Sequence, residues 1–420
     1  MTDQAFDRVR DAVKALLAER RETAPAPRYW YPLTTVTYNE DEILEALDSL
    51  CSFRTTMGEK VARFEREFAS YAGSSHAVMV NSGSSADLLL SFLVVDPIHP
   101  RLRPGDEVLV PMVTWPTHVW SPLMAGLSVR MVDVDPNTLN VSLEALEASI
   151  TPRTRALFLV HLMGNPCDMG PILEFVKRHD LVLLEDCCES LGASWNGRKV
   201  GTFGLGASFS FFFSHHMTTM EGGMVTTSDS EVYDHLRILR AHGWVRNVDN
   251  PKFATIPRDT VDSRYTFATW GFNVRPLEVE GAFGLQQLAK LPRFTERRQT
   301  LATAFRAYCD SHPFLRSPRV LPGAEPIWMS LPIMVEPSAP FSRDDLTRFL
   351  EAEGVETRPV VAGNLARQPA ARLFPALADG QFPGAEAIHQ RGFYIGLSPH
   401  VTDADMTRLL ELFQRFTRVT

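Results

Sequence analysis

The residues best suited to chemistry lie in the stretch Ser208–Gly223, which reads SFSFFFSHHMTTMEGG. This stretch starts as an apolar, aromatic run, becomes polar at Ser214-His215-His216 and ends in Glu221-Gly222-Gly223. An apolar run that gives way to small and polar residues is typical of a buried strand that delivers side chains to a loop. Two adjacent histidines at the end of such a strand could form a metal pair, supply a general base, or simply pack.

A second polar segment, Asn81–Ser85, follows a short apolar strand predicted over 77–80 and precedes a helix predicted over 86–95. The small residues Gly83 and Ser84 would let the backbone approach a phosphate closely, and the free N–H groups of the first helical turn would point at it. A serine at the start of a helix also serves as an ordinary N-cap, so the segment alone leaves both roles open.

Two further strand ends carry candidate ligand groups. Trp115 leaves a predicted strand where an aromatic side chain can lie against a bound ring, and a tryptophan packed in the core is the alternative. Glu185 and Asp186 end the apolar run that starts at Leu181, where buried carboxylates need a cationic or hydrogen-bonding partner. Asp186 could hold a ring nitrogen in its protonated form, or it could cap the following helix.

The elements that must position these residues alternate between strand and helix. Strands are predicted over 77–80, 107–111, 129–134, 156–161 and 181–185, and helices over 86–95, 143–150 and 172–178. Largely apolar strands that alternate with helices indicate an α/β fold with a mostly parallel sheet covered on both faces. Ligands collect at the carboxyl ends of such strands, which would bring Ser84, Trp115, Asp186 and His215 to one site.

The C-terminal part of the chain indicates a smaller α+β domain. Helices are predicted over 277–291, 296–311, 343–353 and 403–416, with a weak strand over 327–335. Residues 1–22 have the apolar spacing of a helix, and Pro25 follows it. We therefore expect an N-terminal helical extension over 1–28, a large domain over 29–291 and a small domain over 292–420.

Composition and charge exclude several classes of protein. The 420-residue chain has a net charge of −8, which argues against nucleic acid or an anionic membrane as the main partner. No apolar run approaches the roughly 18 residues needed to cross a bilayer, and the charged N-terminus lacks the apolar core of a secretory signal. The five cysteines have no CxxC spacing, which indicates reduced thiols in a cytoplasmic enzyme.

One metal-like spacing is a chance match. Asp133, Asp135, Asn137 and Glu144 occupy positions 1, 3, 5 and 12 of a calcium-binding loop. The sixth position is Thr138, where the sharp turn needs glycine, and Asp133 ends a predicted strand instead of a helix. We therefore predict no metal site in this chain.

Taken together, these motifs resemble those of the sugar aminotransferase superfamily of fold-type I pyridoxal phosphate enzymes. The resemblance runs from about Tyr38 to the C-terminus. It rests on ordered matches that include Gly83-Ser84, Trp115, Asp186 with Glu189, Ser210, Arg103–Glu107, His161–Pro166, Gly201–Gly204 and Gly271–Pro276. It implies a large domain built on a seven-stranded, mostly parallel sheet and a smaller C-terminal α+β domain.

One position departs from the pattern of that superfamily. The aminotransferases have a lysine six residues before the glutamate of Glu-Gly-Gly, and this lysine binds the cofactor covalently; here that position is His215. A histidine at this point resembles the nucleotide-sugar 3-dehydratases of the same superfamily, as do Arg240–Trp244, Glu356–Pro359 and Gly392–Gly396. The resemblance implies pyridoxal or pyridoxamine 5'-phosphate bound without a covalent link, with His215 as the general base.

The resemblance also implies substrates and an assembly. The substrate would be a GDP-linked 4-keto-6-deoxyhexose that loses its C3 hydroxyl, with L-glutamate as amino donor; the nucleotide rests on the family branch alone. One branch of these dehydratases carries an iron–sulfur cluster, but the cysteines here offer no set of four thiolates, which implies no cluster. Asn273 implies a homodimer with a shared active site, because its counterparts reach the phosphate bound by the second subunit.

Residue by residue, the resemblance assigns cofactor contacts to Gly83, Ser84, Trp115, Asp186, Glu189, Ser210 and Asn273. The two serines would bind the phosphate, and Trp115 would cover the ring. Asp186 would pair with the pyridine nitrogen, and Glu189 would face the ring hydroxyl. Candidate substrate contacts are His216, Arg240, Trp244, Arg358 and Asn364, with a structural role as the alternative for His216.

Two other functions stay open on the sequence. The first is a sugar 4-aminotransferase of the same superfamily, which His215 disfavours because it replaces the lysine. The second is a homologue that binds the cofactor without turnover, which the retained Asp186, Ser84 and Ser210 disfavour.

Overall fold

Helices and strands alternate along the chain in the computed structural model, which describes residues 3–246, 248 and 262–419. The helices are α1 Asp3–Glu22, α2 Glu40–Cys51, α3 Glu59–Ala72, α4 Gly83–Val95, α5 Thr117–Met124, α6 Leu143–Ser149, α7 Met169–Arg178, α8 Ser230–Arg240, α9 Glu278–Ser311, α10 Arg343–Ala352, α11 Pro383–Arg391 and α12 Asp403–Val419. The strands are β1 His76–Val80, β2 Glu107–Pro111, β3 Ser128–Val132, β4 Thr154–Val160, β5 Val182–Asp186, β6 Ser194–Trp195, β7 Arg198–Lys199, β8 Gly206–Ser210, β9 Gly223–Thr227, β10 Leu315–Arg316, β11 Ala324–Glu325, β12 Leu331–Val335, β13 Thr357–Pro359 and β14 Gly392–Ile395.

A seven-stranded sheet in the order β1-β9-β8-β5-β4-β2-β3 forms the centre of the larger part of the chain. β3, β2, β4, β5 and β8 run parallel to one another, and β9 pairs antiparallel with both β8 and β1. The strands are apolar and buried along most of their length because helices cover both faces, as parallel sheets require. The predicted α/β class and mostly parallel sheet are confirmed.

The predicted strands of the central sheet agree with the structure to within two residues at either end. Continuous apolar runs such as Leu157–Val160 in β4 can be buried on both sides, which is why the pattern is visible in the sequence. Each helix start that matters for the site also has a local cause. At α4, the Ser82 hydroxyl accepts the Ser85 N–H at 3.1 Å and caps the helix.

A second, antiparallel sheet of order β10-β12-β14-β13 lies in the C-terminal part of the chain. It packs with α10, α12 and the second half of α9 in a separate hydrophobic cluster that includes Phe305, Ile333, Phe393 and Phe413. This arrangement is the smaller α+β unit that the sequence predicts. Tyr31, which the prediction places in the large domain, is buried in this second cluster and hydrogen-bonds to the Gly396 carbonyl.

Helix α9 corrects one prediction, because the sequence indicates separate helices over 277–291 and 296–311 and the structure has one helix over Glu278–Ser311. Pro292 lies inside it, where its missing N–H removes one hydrogen bond of the helix. Leu285 and Leu291 pack in one cluster and Leu301 packs in the other, so burial on both sides of the proline holds the helix together. The domain boundary predicted after residue 291 falls inside this helix.

The N-terminal extension is also helical, as predicted. α1 ends at Glu22, before Pro25 and Pro27, and its side chains are mostly exposed. Among the described residues, no helix is both long and apolar enough to pass through a bilayer.

Candidate active site

The carboxyl ends of β1, β2, β5 and β8 lie along one edge of the central sheet. β1 points the same way as β8 because both pair antiparallel with β9. Asp186 is the last residue of β5, Ser210 is the last residue of β8, and α4 begins at Gly83 just after β1. Trp115 follows the end of β2. The topology thus brings these residues to the same edge, as the sequence predicts.

The start of α4 and the end of β8 form a close-packed cradle. A Cβ placed on Gly83 would lie 2.7 Å from the Ser210 Cβ, and one placed on Gly223 would lie 2.3 Å from the Ser82 carbonyl oxygen. Side chains at these two glycines would therefore push the strand end and the helix start apart. The exposed Ser84 and the partly exposed Ser210 flank the helix N-terminus, where free N–H groups and the helix dipole favour an anion.

Asp186 is buried and surrounded by donors. The Ser208 hydroxyl donates to its Oδ2 at 2.9 Å, and the Cys188 N–H donates to its Oδ1 at 3.3 Å. His118 Nε2 lies 3.2 Å from the same Oδ2. Burial disfavours the charged carboxylate, but the His118 imidazolium and these hydrogen bonds hold the pKa of Asp186 below its usual value. Asp186 is thus ionised at neutral pH in spite of its burial.

His118 was not singled out by the sequence, although it is central to this site. It lies in α5, is buried, and its Nε2 is also 3.5 Å from Asp87 Oδ2 in α4. Its Nδ1 lies 2.6 Å from Thr114 Oγ1 and 3.1 Å from the Trp115 carbonyl oxygen. The only local signal was a histidine in the helix that starts just after Trp115, and a lone histidine there is commonly a core residue.

The electrostatics of this cluster favour an imidazolium. Burial lowers the pKa of His118, but the carboxylates of Asp87 and Asp186 outweigh that effect and raise it to about 9. Burial raises the pKa of Asp87 to about 7, with Asp186 adding to the rise and His118 opposing it. A cation between two buried carboxylates therefore stabilises the ionised form of Asp186, while Asp87 carries a raised pKa.

His215 lies on the loop after β8, and its side chain is partly exposed. Its backbone N–H donates to the Phe212 carbonyl at 3.0 Å. Its ring nitrogen Nδ1 is buried and has no hydrogen-bond partner among the described residues. Burial lowers the pKa of His215 to about 4, with Asp186 opposing and Arg298 adding to the effect. The imidazole is therefore neutral at pH 7 and has a ring nitrogen free to take a proton.

Trp115 and Glu189 occupy positions that suit a planar ligand. The Trp115 side chain is 59% exposed at the strand edge, so its ring is available to cover a bound ring. Glu189 accepts the Met163 N–H at 2.7 Å. Burial raises the pKa of Glu189 to about 7, and the Met163 N–H offsets part of this rise.

Three of the predicted substrate contacts also have hydrogen-bond partners within the protein. His216 is buried, with Nε2 2.9 Å from the Ile327 carbonyl oxygen. Arg240 is buried and donates to Glu65 Oε1 at 2.6 Å and to the Met79 carbonyl at 2.7 Å. Asn364 caps a short helical turn by accepting the Ala366 N–H and donates to Glu386. These internal contacts fix the three side chains in the protein, while His216 Nδ1 and Arg240 Nε have no hydrogen-bond partner among the described residues. Their assignment as substrate contacts stays a prediction.

The remaining predicted residues lie at the surface. Trp244 stacks on Tyr265, with ring centroids 5.8 Å apart and planes 3° apart, and donates to the Arg264 carbonyl. Arg358 pairs with Glu356 at 2.7 Å and lies opposite Tyr394 in the small sheet. Asn273 is exposed and its amide oxygen accepts the Arg275 Nε–H at 2.9 Å, so it does not reach the cradle of its own chain by any described contact.

Two buried clusters contain residue types that bind metals, and each carboxylate in them already has a partner within the protein. The ligand atoms of His161, Glu185 and Cys187 lie within 4.8 Å of one another. The Glu185 carboxylate accepts the N–H groups of Gly201 and Gly204 at 2.8 and 2.7 Å, which fixes the turn between β7 and β8. In the second cluster, Asp87–His118–Asp186, the imidazole already lies between the carboxylates.

The arrangement has the donor set that pyridoxal 5'-phosphate needs. The cradle at Ser84 and Ser210 suits the phosphate, and Gly83 is the position where a side chain would close it. The buried, ionised Asp186 suits the protonated ring nitrogen. Lys199, the lysine nearest in sequence to the loop, donates to the Tyr71 carbonyl and lies over the Tyr71 ring at 3.8 Å.

Comparison with known proteins agrees with this arrangement. The sequence model of the DegT/DnrJ/EryC1/StrS aminotransferase family matches residues 37–414. The chain belongs to this family. Family members share the aminotransferase-like pyridoxal phosphate fold, and the α/β sheet described above is that fold.

Within the DegT/DnrJ/EryC1/StrS family, the chain is similar to GDP-4-keto-6-deoxy-D-mannose 3-dehydratases. The enzyme of Yersinia pseudotuberculosis is 40% identical over 371 residues, which cover 87% of this chain and 93% of the relative. A solved structure of a His-to-Asn variant of such a dehydratase with bound GDP-perosamine has 36% identity and a TM-score of 0.86. Another, with a trapped PLP-glutamate geminal diamine, has 36% identity and a TM-score of 0.85. Each alignment covers 91% of this chain and 99% of the solved chain.

Proposed function

We propose that this protein is a nucleotide-sugar 3-dehydratase that uses pyridoxal and pyridoxamine 5'-phosphate. The substrate is a GDP-linked 4-keto-6-deoxyhexose, L-glutamate is the amino donor, and the product is a 4-keto-3,6-dideoxy sugar. The observation that carries the proposal is His215 at the family's lysine position, on the loop after β8 and within electrostatic reach of Asp186. The GDP-perosamine and PLP-glutamate complexes of the similar dehydratases support the choice of nucleotide and donor.

The residues of the strand edge hold the cofactor in this proposal. Ser84, Ser210 and the N-terminus of α4 bind the phosphate, and Trp115 covers one face of the ring. Asp186 pairs with the pyridine nitrogen, and Glu189 faces the ring hydroxyl. When bound, the cofactor supplies the electron sink that makes loss of the C3 hydroxyl possible.

His215 is the residue that accepts and returns the proton in this proposal. Its imidazole is neutral at pH 7, because burial and the nearby Arg298 disfavour the charged form. Nδ1 is buried and has no hydrogen-bond partner in the described part of the chain, so the neutral imidazole can accept a proton there and return it later. Such general-base action is worth roughly 10²–10⁴ in rate. An imidazole cannot replace the lysine as a covalent anchor, so the site binds the cofactor reversibly.

A homodimer completes the site in this proposal. Asn273 is exposed and makes no described contact with the cradle of its own chain, so a second subunit is where its amide can act. Two aromatic side chains are also exposed: Phe213, on the loop after β8, is 46% exposed, and Trp270, three residues before Asn273, is 47% exposed. Exposed aromatic side chains of this size are enriched at protein interfaces.

Incubation of the protein with pyridoxal 5'-phosphate, L-glutamate and GDP-4-keto-6-deoxymannose tests the proposal. Mass spectrometry separates loss of oxygen at C3 from gain of nitrogen at C4. Loss of oxygen supports the dehydratase. Gain of nitrogen would make the protein a 4-aminotransferase, and an unchanged sugar with bound cofactor would make it a homologue that binds without turnover.

A further inference from the structure

Arg298 connects the His215 loop to the C-terminal unit. It lies inside α9, and its side chain is 3% exposed. Its Nη1 donates to the Met329 carbonyl at 2.8 Å and to the Leu397 carbonyl, and its Nη2 lies 3.5 Å from the His215 carbonyl oxygen. Met329 precedes β12 and Leu397 follows β14, so one guanidinium links the catalytic loop to two segments of the smaller sheet.

The charge of Arg298 has no carboxylate partner among the described residues. Its hydrogen-bond acceptors are carbonyl oxygens, and its Nε has no hydrogen-bond partner within residues 3–246, 248 and 262–419. Burial lowers the pKa of Arg298 to about 10, so the guanidinium is still charged at neutral pH. Burying a cation that only carbonyl oxygens bind is costly. A purely structural link between these segments does not require a charged side chain.

The guanidinium charge lies beside the backbone of His215, so it acts on the imidazoles of His215 and His216. Asp186 favours the protonated form of His215, while burial and Arg298 oppose it. Burial and Arg298 act in the same direction on His216, whose pKa is lowered to about 3 although Nε2 is hydrogen-bonded to the Ile327 carbonyl. A cation close to an imidazole disfavours the imidazolium.

We propose that Arg298 is a positioning residue for His215: its guanidinium binds the backbone of the loop at the His215 carbonyl, and its charge, buried beside that residue, opposes protonation of the imidazole. In the site, Asp186 attracts a proton to His215, and Arg298 counters that attraction from the opposite structural unit. The importance of Arg298 for turnover rests on the proposed function, in which His215 is the base. The effect of Arg298 on the His215 imidazole does not rest on that function, because the effect is present without substrate.

The test uses substitutions that separate charge from hydrogen bonding. Arg298→Gln keeps a donor for one carbonyl and loses the charge, and Arg298→Lys keeps the charge. Arg297→Gln is the matched control, because Arg297 lies next in the same helix, also donates to a carbonyl, that of Val401, and pairs with Asp403. Titration of His215 is followed by NMR in protein labelled with ¹³C-histidine, and His215→Asn assigns the signal.

In Arg298→Gln the midpoint of the His215 titration should rise by about one pH unit. It should stay near the wild-type value in Arg298→Lys and Arg297→Gln. An unchanged midpoint in folded Arg298→Gln would overturn the proposal. If Arg298→Gln does not fold, wild type and Arg298→Lys decide: a midpoint at or above about 6.5 in wild type, or a rise in Arg298→Lys, counts against the charge effect.

Activity measurements separate this inference from the proposed function. If dehydration occurs, the acidic limb of the kcat profile should move to higher pH in Arg298→Gln in step with the NMR midpoint. A shifted NMR midpoint in a protein that never dehydrates the sugar would refute the proposed function and leave the role of Arg298 intact. Dehydration of the sugar with an unmoved NMR midpoint would support the proposed function and refute the role of Arg298.

Discussion

His118 Nε2 lies 3.2 Å from Asp186 Oδ2, and both side chains are buried beneath the carboxyl edge of the central sheet. Asp87 lies 3.5 Å from the same nitrogen on another element, α4. The helix that begins at the phosphate cradle is thereby coupled to the carboxylate that we assign to the ring nitrogen. Both ends of the proposed cofactor site depend on this one imidazole.

Replacing His118→Gln should weaken cofactor binding. The substitution removes the cation that opposes the burial penalty of Asp186, so the carboxylate is less suited to a protonated ring nitrogen. We expect about tenfold weaker binding of pyridoxamine 5'-phosphate, on the order of 1.4 kcal/mol. Tryptophan fluorescence during titration of the apoprotein measures it. His179→Gln, a surface histidine near Glu147, is the control, and equal affinity in both variants would contradict the assignment.

The same cluster predicts how stability depends on pH. The folded-state pKa of His118, about 9, is above its ordinary value of 6.5, so its stabilising effect is complete below pH 6.5 and is lost as the pH rises through 9. The folded-state pKa of Asp87, about 7, is above 3.8, so its contribution is complete below pH 3.8 and is lost between pH 3.8 and 7. Both signs agree, but above pH 6.5 most of the loss comes from His118, and the Tm of the apoprotein should therefore fall between pH 6.5 and 9.

Calorimetry of wild type and His118→Gln across that range checks this prediction. The variant should have a lower Tm at pH 6.5 and a flatter dependence above it, because the group that titrates near pH 9 is gone. A wild-type Tm that rises from pH 6.5 to 9 would show that the imidazolium is not held between the carboxylates in solution.

How far the sequence predicts this site depends on the range of the contacts involved. Asp186 and Ser210 end apolar runs, so strand pattern and topology suffice to place them at one edge. Arg240 has the motif of a ligand residue, but its partner Glu65 is 175 residues away, and only the fold shows the ion pair. His118 was missed for the same reason, since its two carboxylates lie on other elements. The sequence predicts two helices in place of α9 because Pro292 is a local signal, whereas the packing of the helix on both sides of Pro292 depends on distant parts of the chain.

Bound cofactor should be removable. His215 replaces the covalent lysine, and Lys199 is held at Tyr71, so dialysis should leave colourless or pale protein that binds added cofactor again. Borohydride reduction followed by peptide mapping should yield no pyridoxyl-lysine. A stoichiometric adduct on any lysine would show a covalent site after all.

Iron should not be needed for activity. Cys167, Cys187 and Cys309 are buried in three different hydrophobic clusters, and Cys51 is exposed at the end of α2. Burial also raises the pKa of the Cys167 and Cys187 thiols well above the usual value, which disfavours the thiolates that a cluster requires. Activity should survive an iron chelator. Loss of activity with the chelator and recovery with iron and sulfide would place the enzyme in the cluster-bearing branch.

Substitutions of His215 test the proposed function most directly. His215→Asn removes the proton acceptor but leaves the cradle, Trp115 and Asp186 in place, so cofactor binding should persist while dehydration falls by about 10² or more. His215→Lys restores the residue of the aminotransferase relatives, so the protein should turn yellow by covalent capture of the cofactor. Dehydration should still be lost there, because a lysine bonded to the cofactor or protonated is a poor base. Absorbance spectra and the mass-spectrometric assay with L-glutamate follow both effects.

The matched control for this test is His216→Asn, since His216 is adjacent but buried against the Ile327 carbonyl. Its removal costs a hydrogen bond in the core and should lower Tm, while the folded variant keeps most of its turnover. If His215→Asn retained near-normal dehydration and His216→Asn lost it, the neighbouring imidazole would be the base. That outcome would require the loop to turn in the loaded enzyme, because the His216 side chain is buried in the structure described here.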